Sequence, residues 1–390
     1  MSNSPLRMRH RLAYKLLHAV AKPVTKHLFN YEYEKIPEIE GPYLLLSNHN
    51  TDWDPALLAL AAEGYVSFVA TEKLTRMGFA GKLLSRYFDP ILHYKGKQGM
   101  RTVRQVISRM EQGINVAMFP EGNRSFNGLT CPIPPATAKL AKSCGGTLVT
   151  YRLTGGYFSS PRWGKGFRKG SIKGEVAGIY TADVLREMSD DEVLELLKND
   201  LQVDAYADQK KRKISFRGKN RALGMESTLF MCPSCKALGS LKSLGNRIRC
   251  ACGYDAEYDE YGYINNADGS VNTITELDEV QREEIEKAVA SGTDKPLFSD
   301  TVVSELINSA HKVIMTRKAT LEAYCDRLVL AGRQIPYSEL AGIAINQRNL
   351  LILHVNGYSD HYECSGPISF NALKYLYAAR ASVGSRSGIL

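Results

Sequence analysis

The chain has 390 residues, 44% of them hydrophobic and 23% charged, with a net charge of +9 and no long low-complexity tract. Such a length suits two or three folding units, and the composition excludes a disordered or fibrous protein. The positive charge favours anionic partners, with nucleic acid, a membrane surface and phosphorylated substrates all open on charge alone, and no window reaches the ~18–20 consecutive apolar residues of a membrane-spanning helix.

Residues 1–30 carry Arg7, Arg9, Arg11, Lys15, Lys22 and Lys26 and no acidic side chain, interleaved with Leu12, Tyr14, Leu16, Leu17, Ala19, Val20 and Leu28. This reads as a basic amphipathic helix, interrupted at Pro23, suited to the headgroup region of an anionic leaflet. An ordinary surface helix packed on the next domain is the competing reading. The apolar part is too short and too broken by lysines for a cleaved secretory signal.

Over residues 31–205, short apolar runs such as "YLLLS", "VSFVAT", "INVAMF" and "TLVTYRL" alternate with helical ones such as "DPALLALAA", "VRQVISRM", "ATAKLAKSC" and "DVLREMSDDEVLELL". Strands regularly separated by helices predict an α/β layer domain with a largely parallel sheet. Asp190, Asp191 and Glu192 fall at the start of its last helix, where the macrodipole favours acids. Residues 206–228 form a basic connector: "DQKKRKISFRGKNR" (208–221) has seven basic residues against one acidic. It reads either as a solvated linker or as a basic strip facing phosphate groups.

Within 229–265, Cys232 and Cys235 are separated from Cys250 and Cys252 by fourteen residues that read as a hairpin turning at Leu244-Gly245-Asn246. Two tight turns that each present a pair of thiolates suit a tetrahedral structural zinc in a zinc-ribbon-like hairpin. Four thiolates leave no open position for catalysis. The second pair is C-x-C, less usual than C-x-x-C, and Gly253 fits a tight knuckle after it. The other cysteines, Cys131, Cys144, Cys325 and Cys364, stand alone, which suits a reducing cytosol rather than a disulfide framework. Residues 266–299 read as a helical linker around "ELDEVQREEIEKAVAS". Residues 300–390 are short strands closed by the helix "FNALKYLYAARAS". That order of elements resembles the pleckstrin-homology-like superfold, whose modules often bind lipid headgroups or peptides.

In "LLLSNHNTDWDPALLA" (44–59) a buried strand gives way to a loop holding His49, followed by a helix with Asp54 as its expected N-cap and Pro55 in its first turn; taken alone, this reads either as a site histidine or as an ordinary loop histidine beside a capping aspartate. About seventy residues later, "INVAMFPEGNRS" (114–125) runs from a strand into a turn containing Glu121, Gly122, Asn123 and Arg124. The histidine, four residues, aspartate spacing and the "FPEGNRS" block together resemble the glycerolipid acyltransferases, whose block reads FPEGTRS. "FDPILHYKGK" occupies the place of that family's arginine-ending block, with Lys95 at the point where arginine is usual. The family's Val-Pro-Val is absent downstream. The resemblance covers roughly residues 40–180.

What this resemblance implies is transfer of a fatty acyl group from acyl-CoA or acyl carrier protein to the free hydroxyl of a lysophospholipid, lysophosphatidic acid in the first instance. His49 is then the general base oriented by Asp54, Glu121 orients the acceptor hydroxyls, Gly122 keeps the turn open, and Arg124 and Lys95 meet the phosphate. A thioester is already activated, so no covalent acyl-enzyme and no catalytic cofactor are implied. Asp52 is the alternative carboxylate partner for His49 but misses the spacing and reads as a solvated loop charge; Asn48 and nearby backbone amides are candidates for polarising the thioester carbonyl. The enzyme so described is peripheral, on the cytoplasmic face of a membrane with anionic lipids. Another lysolipid or a glycolipid is the alternative acceptor. A nucleic-acid partner is not expected, because the basic residues are not interleaved with stacking aromatics.

Overall fold

A strand buried on both faces reads as an unbroken apolar run, and Tyr43–Ser47, with all five residues buried, is such a strand. In the computed structural model, which describes residues 8–71, 74, 78–93, 99–367 and 370–384, this strand lies within the first of two units. The first comprises Met1–Pro161 with Phe167–Arg217, and the second Arg162–Gly166 with Gly218–Leu390.

The first unit runs α1 (Met8–Phe29), β1 (Glu32–Tyr33), β2 (Tyr43–Ser47), α2 (Asp54–Ala61), β3 (Val66–Thr71), α3 (Gly78–Phe88), β4 (Ile91–His93), α4 (Gly99–Glu111) and β5 (Asn115–Met118). It continues through α5 (Ala136–Ser143), β6 (Thr147–Thr154), α6 (Gly156–Ser159), β7 (Lys173–Tyr180), α7 (Ala182–Glu187), α8 (Asp190–Leu201) and α9 (Ala205–Arg212). Its sheet has the order β1-β7-β6-β2-β5-β3-β4. All neighbours are parallel except β6 and β7.

Alternate residues of the central strands supply two cores. Leu44, Leu46, Val116 and Leu148 pack with Val106 and Met110 of α4, Leu140 of α5 and Leu197 of α8. Leu45, Ala117 and Val149 pack on the other face with Tyr14 and Phe29 of α1 and Leu57 and Leu58 of α2. Helices therefore cover both faces, as an all-buried sheet requires. The expected start of α8 is present as a capping box between Ser189 and Glu192, with Asp190, Asp191 and Glu192 in the first turn.

Two expectations change. Helix α1 buries Tyr14, Ala21 and Phe29 in the core of this unit, while Leu12, Leu16 and Val20, each at least 55% exposed, form a separate stripe. It is thus both packed and amphipathic. The basic connector is not a solvated linker. Asp204 caps α9 by accepting from the amides of Tyr206 and Ala207, Arg217 pairs with Lys169 in a two-way backbone bridge, and Phe216 is buried. A Cβ on Gly170 would lie only 2.2 Å from the Phe216 ring, so the aromatic side chain seats directly on that glycine. The capped α9, the buried Phe216 and the bridge at Arg217 together hold residues 205–217 on this unit.

The second unit contains β8 (Lys242–Leu244), β9 (Arg247–Arg249), β10 (Asp255–Tyr258), β11 (Ile264–Asn266) and β12 (Val271–Asn272), an antiparallel sheet in the order β12-β11-β10-β9-β8. After α10 (Ile274–Ala290) come β13 (Phe298–Ile307), β14 (Val313–Ala323), β15 (Arg327–Leu330), β16 (Arg333–Pro336), β17 (Leu340–Asn346), β18 (Leu350–Val355), β19 (His361–Ser365) and the closing helix α11 (Ala372–Val383). Those seven strands form a second antiparallel sheet, β16-β15-β14-β13-β19-β18-β17, so the expected β-rich C-terminal region is present. Helices α10 and α11 are joined through the buried carboxylate of Asp278, which accepts from the Tyr377 hydroxyl at 2.9 Å. No helix among the described residues is long and apolar enough to cross a membrane.

Candidate active site

Parallel strands place their carboxyl-terminal loops at one end of a sheet, where ligands of open α/β folds bind. Strands β2 and β5 are neighbours, with Leu46 in register with Met118. The loop after β2, carrying His49, and the turn after β5, carrying Glu121 and Arg124, therefore meet despite their distance in sequence.

The β2 loop is tied down first by Asn48. Its side chain donates to the Leu153 carbonyl at 2.8 Å and accepts from the Leu153 amide at 2.7 Å, and it is 1% exposed. The amide thus serves β6, and the suggested role of Asn48 in polarising a thioester does not hold. Asp54 also departs from expectation. It sits inside the first turn of α2 rather than at the N-cap, which is Trp53, and it makes no capping bond to the helix. Its carboxylate points back into the loop. Oδ2 accepts from the amides of Asn50 (2.6 Å) and Thr51 (2.8 Å) and faces His49 Nδ1 at 2.8 Å, while Oδ1 accepts from the Thr51 hydroxyl at 2.7 Å. Because the carboxylate can only accept, Nδ1 carries the proton and the lone pair lies on Nε2.

The β5 turn grips the same histidine. Glu121 Oε1 accepts from the His49 amide at 2.7 Å, and the Ser125 amide donates to the His49 carbonyl at 3.0 Å, so both backbone polar groups of His49 are held by the FPEGNRS block. The Phe119 ring stacks on the imidazole with centroids 4.3 Å apart and planes 18° from parallel. Glu121 Oε2 accepts from the Cys131 amide at 2.5 Å, and the residue is 7% exposed. Both its oxygens serve backbone amides, so Glu121 positions His49 instead of meeting acceptor hydroxyls as expected. Burial pushes its carboxyl up to about 8, against the opposing pull of those amides. Gly122 has φ +64°, while a Cβ there would meet nothing within 4 Å; the glycine is needed for the backbone conformation, not for close approach.

Arg124 and Asp52 are brought together as an ion pair, Nη1 to Oδ2 at 3.2 Å, with side chains 13% and 83% exposed respectively. The loop charge expected to be solvated therefore has a partner. Lys95 lies outside the described residues. Phe119, Thr51 and Ser125 are the site residues that sequence reasoning missed. Phe119 was visible as the first letter of the FPEG block, but nothing local marks it as a stacking partner.

The structure brings the four cysteines of the second unit together as well. Cys232, Cys235, Cys250 and Cys252 present sulfurs all within 4.8 Å of one another, with Cys232 to Cys252 at 3.7 Å and Cys235 to Cys250 at 3.8 Å. Four sulfurs at about 2.3 Å from a tetrahedral ion are about 3.8 Å apart, so the set fits such a metal. The hairpin between the pairs turns at Gly245 and Asn246, and Gly253 has φ +98° in the knuckle.

Residues 28–154 match the family model described as Acyltransferase. That range takes in β2, α2, the His49 loop and the Glu121 turn. The α/β unit thus carries an acyltransferase domain. Among solved structures the chain is similar to the 1-acyl-sn-glycerophosphate (LPA) acyltransferase PlsC from Thermotoga maritima, with 19% sequence identity, a TM-score of 0.44, and coverage of 53% of this chain and 85% of that one. No curated protein matches the chain.

Proposed function

We propose that the protein transfers a fatty acyl group from a thioester, acyl-CoA or acyl carrier protein, to the free hydroxyl of lysophosphatidic acid, giving phosphatidic acid. The observation that carries this reading is the imidazole of His49, bound through Nδ1 to a buried carboxylate and locked at both backbone ends by the turn that bears Arg124. An alcohol attacks a thioester slowly until a base removes its proton. Nε2 of His49 accepts that proton as the hydroxyl oxygen bonds to the carbonyl carbon, and Asp54 stabilises the resulting imidazolium. Collapse of the tetrahedral oxyanion breaks the C–S bond, and the imidazolium returns the proton to the leaving thiolate. The thioester is already activated, so the step asks for no catalytic cofactor.

Arg124 is the cation for the acceptor's phosphate, with Lys95 as a second candidate. Helix α1 is the membrane-associating element: its exposed Leu12, Leu16 and Val20 lie among the exposed cations Arg11, Lys15, Lys22 and Lys26, a pattern suited to anionic headgroups. On this reading the enzyme is peripheral, at the cytoplasmic face of a membrane. A structural zinc held by Cys232, Cys235, Cys250 and Cys252 would fix the zinc-ribbon-like hairpin, and the seven-stranded sheet with its closing helix is a pleckstrin-homology-like module. A second reading, acylation of another lysolipid or a glycolipid, is favoured by one observation: a carboxylate already faces Arg124.

A panel of lysolipids with labelled acyl-CoA and acyl carrier protein separates the two. Turnover fastest with lysophosphatidic acid is the expected result. Turnover confined to an acceptor without a phosphomonoester would replace the first reading by the second, and none with any acceptor would remove both.

A further inference from the structure

Two carboxylates sit in the His49 loop, and only one serves the imidazole. Asp54 is buried and meets four donors, whereas Asp52, two residues earlier, is 83% exposed and reaches across to Arg124 in the β5 turn at 3.2 Å. Arg124 itself is 13% exposed. The well-sheltered partner is thus the cation, and the solvent-facing one is the acid.

We infer that Asp52 is a displaceable internal anion that occupies Arg124 until the phosphate of the acceptor takes its place, and so sets the affinity for phosphate-bearing acceptors. This deepens the proposed function and rests on Arg124 as the phosphate contact. A carboxylate presents the same planar pair of oxygens to a guanidinium that a phosphate does, with a smaller charge than a phosphomonoester. Ion pairs with one strongly exposed member are weakly held, because water competes for the charge and ordering the side chain costs entropy. Exchange is therefore easy, and among the described residues no other hydrogen bond or ion pair ties the Asp52 side chain down: Thr51 and Asp54 bond to each other, and the Trp53 amide bonds to the Thr51 hydroxyl. Asp52 consequently acts through Arg124 as a positioning residue. Its presence weakens every anionic acceptor by the share of Arg124 it holds, leaves neutral acceptors unaffected, and does not touch the proton transfer at His49.

The test uses the full chain and Asp52→Asn, with glycerol 3-phosphate as the probe. Calorimetric titration is expected to show binding roughly threefold to fivefold tighter in the variant, the range that removal of a weak competing ion pair allows. With lysophosphatidic acid, KM is expected to fall by the same factor and kcat to stay within about twofold. A merely structural role for Asp52 would move kcat or leave both constants unchanged. Equal or weaker glycerol 3-phosphate binding in the variant overturns the inference, as does absence of binding in both proteins. Tighter probe binding with no acylation of lysophosphatidic acid by either protein would sink the proposed acceptor and leave the role of Asp52 standing. Acylation with unchanged Kd and KM would do the reverse.

Discussion

Glu121 shows how the local setting of a side chain and its hydrogen bonds can point to different purposes. A glutamate beside glycine and arginine at a strand end looks like a substrate contact. Its partners, however, are the amides of His49, 72 residues upstream, and of Cys131. No local pattern announces a bond of that sequence separation. Asp54 does meet the His49 ring, as the resemblance implies, but it is not the cap that Asp-Pro before an apolar run signals locally, because its carboxylate turns away from the helix to collect the loop. The burial of Glu121 has a measurable consequence. A carboxyl held near 8 in the folded chain and near 4.5 when unfolded keeps its proton longer when folded, so its contribution to stability is present at low pH and is lost as pH rises from about 4.5 through about 8. In Glu121→Gln that part of the slope disappears, on top of a uniform loss of about 1–3 kcal/mol from the amide left without an acceptor. Denaturant melts of both proteins at pH 5, 6.5 and 8 measure this; parallel pH profiles would show that Glu121 does not titrate as described.

At the scale of elements, alternation of apolar strands and amphipathic helices was legible because a parallel sheet covered on both faces admits few polar residues, as β2 illustrates. The cysteine hairpin was legible through spacing alone. The segment 208–221 was not, because its composition describes a solvated chain, while Phe216 and the Arg217 to Lys169 bridge hold its residues up to Arg217 on the first unit. The hairpin carries its own prediction. Binding of one structural zinc supplies on the order of 10 kcal/mol of folding free energy to so small a unit. Purified protein is expected to hold about one zinc per chain, and Cys250→Ser to lose it together with part of the β8 to β12 sheet. Unchanged metal content in the variant would rule the site out.

For the whole molecule, the membrane contact proposed from the charge of the first residues would use the side of α1 that its packing leaves exposed. Helix α1 presents Tyr14, Ala21 and Phe29 to the core and keeps Leu12, Leu16 and Val20 on its exposed side. Substituting the exposed three by serine leaves the packed side intact. Each buried aliphatic side chain contributes up to about 1.5–3 kcal/mol to association with an apolar medium, so even partial insertion makes the triple variant at least roughly tenfold weaker in flotation with phosphatidylglycerol-containing vesicles. Equal flotation of the two proteins would place the membrane contact elsewhere or nowhere.

The proposed reaction depends on the imidazole of His49, which two loops distant in sequence hold in place. The most direct test is kcat/KM for acyl transfer from labelled acyl-CoA to lysophosphatidic acid by the wild-type chain and by His49→Ala of matched circular dichroism. A fall of about 10²- to 10⁴-fold is the expected result, the usual contribution of a positioned general base. Equal turnover by the two proteins would contradict the account, since the proton of the acceptor hydroxyl would then be leaving by a route that does not involve His49.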